Sequence, residues 1–236
     1  MKLDAILWDY DGTLVNSVPK NIAITKDILA RVAPRLTGDN LPRYLTSESL
    51  YHQANHAAKN WQQLYLDYYG LSEQEMLEAG SLWSEYQEKN DTRVSLFNGM
   101  EEVIHEFSHL PHGICSQNSQ QNIRRVLQQH NVDTLFKSVV GYDDISSEQQ
   151  KPNPDGGLYC LERIFGEHIP NTLIYVGDHQ ADTEFAKNIE RALPEHCQVI
   201  SIAAAYSHSQ PETWSIQPDH IAYQVEELIS LIRQYT

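Results

Sequence analysis

The chain has 236 residues, of which 41% are apolar and 21% charged, the balance of a folded protein with an ordinary core rather than of a disordered or fibrous one. A chain of that size buries roughly 70–75% of its unfolded surface, so neither disulfides nor a structural metal is needed to hold it together. Lys and Arg number 17 against 32 Asp and Glu, a formal charge of -15 that repels nucleic acid and anionic lipid headgroups and argues against both as partners. No apolar run approaches the ~20 residues that cross a bilayer. The opening Met1-Lys2-Leu3-Asp4 has no secretory pattern, so a cytoplasmic location is expected. Cys115, Cys160 and Cys197 are widely spaced with no CxxC pair, and buried free thiols are expected.

In chain order, Leu3 to Trp8 is a short apolar run that stops abruptly at Asp9-Tyr10-Asp11-Gly12, a buried strand entering a turn. From about Asn16 to Asn90 the texture is helical. Leu50, Ala54, Ala57, Trp61, Leu64 and Tyr68 recur at three- and four-residue steps, and Ser72-Glu73-Gln74-Glu75 opens a second helix that turns Met76, Ala79, Trp83 and Tyr86 inward. A further helix opens at Asn98-Gly99-Met100-Glu101. Short apolar runs follow at 113–115, 138–140, 173–176 and 199–203, each separated from the next by a helical pattern. Asn153-Pro154 caps a helix through about Phe165, another spans Gln180 to Ile189, and the last runs from about Gln224 to Arg233. The alternation predicts an α/β fold, a Rossmann-like parallel sheet with helices on both faces. Residues 1–15 and 94–236 are expected to form this catalytic core, and residues 16–93 a helical cap inserted after the first strand.

The sharpest string is Asp9-Tyr10-Asp11-Gly12-Thr13, at the carboxyl end of the first strand, where open parallel sheets place their ligands. Two carboxylates so close repel unless their tasks are separated. A cation held between them achieves this, with Asp9 ionised as nucleophile and Asp11 exchanging a proton. Val176-Gly177-Asp178-His179-Gln180-Ala181-Asp182 is a second apolar run ending in acidic residues before a helix. Alone it reads equally as a helix cap, with Asp178 satisfying the orphan amides. Beside the first string it gathers three or four carboxylates into an oxygen-only site suited to Mg²⁺. Lys151, before Pro152-Asn153-Pro154, is placed to neutralise a phosphoryl group and the nucleophile together. Ile114-Cys115-Ser116-Gln117-Asn118 ends the second strand with a hydroxyl and amides, neutral donors for a phosphate oxygen, so Ser116 and Asn118 join Lys151 as phosphate-binding candidates.

Taken in order, these four strings resemble the haloacid dehalogenase superfamily of phosphohydrolases, most of all its phosphoglycolate phosphatase-like branch. The resemblance covers essentially the whole chain. It implies a Mg²⁺-dependent phosphatase acting on a small phosphorylated metabolite through an aspartyl-phosphate. Asp9 would be nucleophile and metal ligand, and Asp11 general acid and base as well as a metal ligand through its backbone carbonyl. Asp178 would complete the protein ligands, with Thr13 and Asp182 in support. Ser116 and Lys151 would hold the phosphate. His179 departs from the small or amide residue usual in that branch.

Other readings compete. A phosphomutase uses the same aspartyl-phosphate, and a non-catalytic, phosphate-responsive receiver-like domain also combines acidic strand ends with a lysine. A receiver has no use for a long helical insertion. His105-Glu106-Phe107-Ser108-His109 fits the HExxH zinc pattern. Met100, Val103, Ile104 and Phe107 form the buried stripe of that helix, however, which turns both histidines to solvent.

Overall fold

A computed structural model describes residues 2–236. The chain divides into two compact units: the segments up to Asn16 and from Ser95 to Thr236 form one, and Ser17–Val94 the other. Strand β1, Ala5–Trp8, is buried along its whole length. After it the chain coils so that the amides of Thr13, Leu14 and Val15 all point at the Tyr10 carbonyl. Val15–Asn16 (β2) then leads out of this unit, and Ser95–Leu96 (β3) leads back in, paired antiparallel to it.

Between them lie α1 (Val18–Val32), α2 (Glu48–Ala57), α3 (Trp61–Gln63), a π-helical turn at Leu64–Tyr68 and α4 (Glu73–Lys89). Ile24, Ile28, Leu29, Ala54, Leu64, Tyr65, Met76 and Ala79 are buried in the core of this helical unit. Ser72 and Glu75 form the expected capping box of α4. The expected stripe from Leu50 to Tyr68 is broken. Ala58 leaves the helix in an extended conformation, and Asn60 restarts it by accepting a hydrogen bond from the Gln63 amide at 2.9 Å. The Asn60 side chain satisfies the Gln63 amide in the first turn of α3, and capping a new helix there competes with continuing α2. As a result Ala57 and Trp61 are exposed rather than buried.

The other unit continues through α5 (Met100–Glu106), β4 (His112–Cys115), α6 (Gln120–Gln129), β5 (Phe136–Val140), α7 (Asp155–Phe165), β6 (Thr172–Gly177), α8 (Gln180–Ala192), β7 (Gln198–Ala204), β8 (His220–Ala222) and α9 (Glu227–Ile232). The six longer strands form one sheet in the order β5-β4-β1-β6-β7-β8, each pair parallel. Helices flank it, as the alternation of runs predicts. On one face, Ala5, Leu7, Leu173 and Tyr175 meet Cys160 and Leu161 of α7 and Phe185, Ala186 and Ile189 of α8. Ile6 and Trp8 point to the opposite face and are equally buried. Side chains of successive strand residues alternate in this way, and a run buried on both faces reads as continuously apolar.

Two ends differ from expectation. Proline, not asparagine, is the N-cap of α7, with Asn153 bonding the Asp155 amide one position earlier, and α9 starts at Glu227 after a turn through 224–226. Strand β8 and the short ribbon of β2 and β3 were not foreseen, being too short for periodicity to register. His105 and His109 are exposed, as the helical stripe requires. All three cysteines are free and buried. Among the described residues no helix is long and apolar enough to cross a membrane.

Candidate active site

The central strands β1, β4 and β6 end side by side, and the residues that follow them converge. Asp9 follows β1 directly, its amide bonded to the Val176 carbonyl at 2.8 Å, and its carboxylate is buried. Lys151 reaches it from the segment before α7, with Nζ 2.5 Å from Asp9 Oδ1 and 2.6 Å from Asp182 Oδ1. Its third contact is the Tyr175 hydroxyl at 3.3 Å. An ammonium has three N–H donors, so all three are engaged.

Asp182 stands one turn into α8 yet faces inward because it closes a capping box. His179 is the N-cap; its Nδ1 accepts from the Ala181 amide at 3.1 Å, while Asp182 Oδ2 accepts from the His179 amide at 3.0 Å. Thus His179 is a capping residue, a task its ring nitrogen performs in place of the usual hydroxyl or carboxylate. Asp178, which the sequence offered as the cap, is released toward Asp9. Its Oδ2 accepts from the Ser207 hydroxyl at 3.2 Å. Gly12 makes room for it: at φ +78, a Cβ on Gly12 would lie 2.2 Å from Asp178 Oδ2.

One carboxylate oxygen from each of Asp9, Asp178 and Asp182 lies within 4.8 Å of the other two. Burial pushes the Asp9 carboxyl up from its ordinary value, Lys151 draws it down, and the neighbouring Asp182 and Asp178 push it up again. Burial works against the charge on Lys151, but Asp182 and Asp9 outweigh it and hold the ammonium above its usual range. Lys151 thus pairs with two of the three carboxylates, Asp9 and Asp182, and one ammonium among three carboxylates leaves the cluster short of positive charge. Hard oxygen donors with a deficit of that sign fit a divalent cation such as Mg²⁺. Both oxygens of Asp182 already accept hydrogen bonds, from Lys151 and the His179 amide.

The other expected site residues surround this cluster. Thr13 donates to Asp9 Oδ2 at 3.4 Å, and its own carbonyl is held by the Tyr206 hydroxyl at 2.8 Å. Asp11 is half-buried, and its Oδ2 accepts from Asn118 Nδ2 at 2.9 Å. Ser116 is buried at the end of β4, its hydroxyl accepting from the Asn118 amide at 3.1 Å. Asn118 is therefore turned to Asp11 rather than grouped with Lys151.

Three neighbours lie outside the four sequence strings. Tyr175 is hidden inside an apolar strand, and its hydroxyl lies 3.2 Å from the Cys115 carbonyl and 3.4 Å from Asp182 Oδ1. Tyr206 and Ser207 follow β7 without a recognisable spacing. A polar residue inside a buried run is the signal that was available for Tyr175, since such a hydroxyl must find a partner.

A family model described as haloacid dehalogenase-like hydrolase matches residues 6–192 of this chain. Among characterised proteins it is similar to a phosphoglycolate phosphatase of Vibrio vulnificus, 25% identical over 238 residues that cover 98% of this chain and 96% of that one. It is also similar to the pyrophosphatase PpaX of Listeria monocytogenes, 24% identical over 251 residues, with 98% and 97% covered. Among solved structures, a hydrolase of the haloacid dehalogenase-like family from Streptococcus pneumoniae shares the fold at a TM-score of 0.73, with 18% identity and 98% of each chain covered.

Proposed function

The chain belongs to the haloacid dehalogenase-like hydrolases, and from that premise we propose that it is a phosphatase that hydrolyses a small organic phosphomonoester through an aspartyl-phosphate on Asp9. The observation that carries this reading is the Lys151 ammonium 2.5 Å from Asp9 inside a cluster of carboxylates at the strand ends. Two named relatives, a phosphoglycolate phosphatase and a pyrophosphatase, support the reaction class.

In the proposed reaction an Asp9 oxygen attacks phosphorus in line, and the bond to the leaving oxygen breaks as Asp11 gives that oxygen its proton. Asp11 then takes a proton from the water that attacks the aspartyl-phosphate, which releases inorganic phosphate and restores the Asp9 carboxylate. Lys151 offsets charge on the transferring group, exchanging its longest contact, to Tyr175, for a phosphoryl oxygen. The Ser116 hydroxyl donates to another. Thr13 and Asp182 hold the Asp9 carboxylate and the Lys151 ammonium in place. Mg²⁺ held by the Asp9 and Asp178 carboxylates and the Asp11 carbonyl would supply positive charge against the phosphoryl oxygens. The helical unit at Ser17–Val94 is assigned the part of a cap that selects the leaving group.

Turnover of p-nitrophenyl phosphate tests this. We expect hydrolysis that chelation abolishes, that Mg²⁺ restores, that Mn²⁺ or Co²⁺ also supports and that Ca²⁺ inhibits through its looser coordination. Asp9→Asn should leave less than ~1% of parental kcat with the melting transition retained. Full activity after exhaustive chelation, or in the Asp9→Asn variant, contradicts the reading.

A further inference from the structure

Asn118 has an amide whose orientation is fixed from both ends. Its Oδ1 lies 2.8 Å from the Ser119 amide, and a backbone N–H can only donate, so the atom facing it is the oxygen. Its nitrogen is thereby directed at Asp11 Oδ2, 2.9 Å away. The next residue outward repeats the logic. Asn122 Oδ1 accepts from Arg125 at 2.7 Å, and a guanidinium has no acceptor, so Asn122 Nδ2 must be the atom that donates to Asn118 Oδ1 at 3.1 Å. From the exposed Arg125 inward, every hydrogen bond in this series runs the same way, Arg125 to Asn122 to Asn118 to Asp11. Bonds aligned head to tail polarise one another, which strengthens the last of them. The series is anchored in the fold: Asn118 is buried, its amide bonds Ser116 Oγ, its carbonyl accepts from the Tyr142 amide, and Ser119 is the N-cap of α6.

We propose that Asn118 is a positioning residue that decides which oxygen of Asp11 carries the catalytic proton. A fixed donor at Oδ2 makes that oxygen an acceptor, so when Asp11 is protonated the hydrogen resides on Oδ1. As the bond between phosphorus and the leaving oxygen breaks, the electron pair goes to that oxygen and the proton passes to it from Oδ1. In the second half-reaction the same Oδ1 takes the proton from water. This inference rests on the phosphatase reading above, and it gives Asn118 a task apart from phosphate binding.

The test compares kcat/KM, which reports the reaction as far as phosphoryl transfer to Asp9, for p-nitrophenyl phosphate and an alkyl phosphate. An aryl leaving group needs little protonation and an alkyl one needs much. In Asn118→Ala, kcat/KM for the alkyl ester should fall about 10–100-fold, within the worth of a positioned proton-transfer group, and for the aryl ester less than about threefold. The inhibition constant of inorganic phosphate should change less than about twofold, since no phosphate contact is lost. Asn118→Asp keeps both bonds accepted by the side-chain oxygen, and so keeps the loop, but faces Asp11 with an acceptor that draws the proton to Oδ2. It should show the same selectivity, with a loss on the alkyl ester at least as large as that of alanine. Equal losses on both esters, a phosphate inhibition constant raised about tenfold, or an Asn118→Asp enzyme with parental alkyl phosphatase activity would each overturn the inference. A parent that hydrolyses neither ester overturns the phosphatase reading as well; an active parent with equal losses in the variants overturns this inference alone.

Discussion

His112 is neutral because its two neighbours leave it no choice. Trp8 Nε1, which can only donate, lies 3.0 Å from its Nδ1, and the Phe107 carbonyl, which can only accept, lies 2.9 Å from its Nε2. The proton is therefore on Nε2, and a second one on Nδ1 would face the indole N–H. Burial lowers the ring's pKa from 6.5 to about 4. The unfolded chain then takes up a proton at a higher pH than the folded one. The stabilisation is complete above pH ~6.5 and is lost as pH falls toward ~4, a change of about 3 kcal/mol. Urea unfolding between those limits should show that slope, and His112→Leu should flatten it; an unchanged slope in the variant contradicts the assignment. Tyr10 presents the opposite case. Its hydroxyl is buried with no hydrogen-bond partner among the described residues, an unmade bond that costs roughly 1–3 kcal/mol. Tyr10→Phe should therefore raise the melting temperature by about 2–12 °C, and a lower one would mean that the hydroxyl is solvated. At this scale the sequence marks residues whose chemistry is unusual for their position, such as the acidic strand ends at Asp9, Asp178 and Asp182. It does not mark Trp8 or Tyr175, whose polar atoms are concealed in apolar runs, nor Tyr10, which stands between two aspartates.

Among the elements, the turn from β6 into α8 does most to shape the site. Gly177 closes the strand, and a Cβ there would lie 2.3 Å from Asp182 Cβ and 2.4 Å from its Cγ. That contact is with the stem of the side chain, which has nowhere to swing, because Asp182 is tied to both the His179 amide and Lys151. Gly177→Ala should destabilise the fold by about 1–3 kcal/mol through overpacking. By displacing Asp182 it should also move Lys151 and lower kcat about 10- to 100-fold, the scale of a misplacement near 1 Å. Parental stability and activity together would show that the turn can relax. The same turn explains a difference between sequence and structure. Asp178 has better capping chemistry than His179, but the register of α8 assigns the cap to His179 and frees Asp178 for the cluster. Periodicity finds helices and not their ends, which local side-chain bonds decide, as Asn60 also does between α2 and α3.

For the whole molecule, the alternation of buried runs and helices is enough to specify a parallel sheet covered on both faces, because a strand buried on both sides must be apolar throughout. Strand order is not contained in that pattern. The order β5-β4-β1-β6-β7-β8 brings the ends of β1, β4 and β6 together, and with them residues separated by more than 160 positions in sequence. Once the strand ends meet, the charge of the chain acquires a local meaning. Most of the formal -15 is surface solubility; three of the carboxylates behind it gather at one place, where a single lysine pairs with two of them.

The central claim, that this lysine and these carboxylates serve a covalent transfer to Asp9, is tested most directly by one variant. Asp11→Asn keeps the backbone carbonyl and the side-chain shape but cannot give or take a proton. Mixed rapidly with p-nitrophenyl phosphate and Mg²⁺, it should release about one equivalent of nitrophenol per enzyme in a burst and then turn over slowly, by roughly 10²–10⁴-fold, with phosphate recovered on Asp9. The absence of a burst, or phosphate attached to any other residue, would contradict the account.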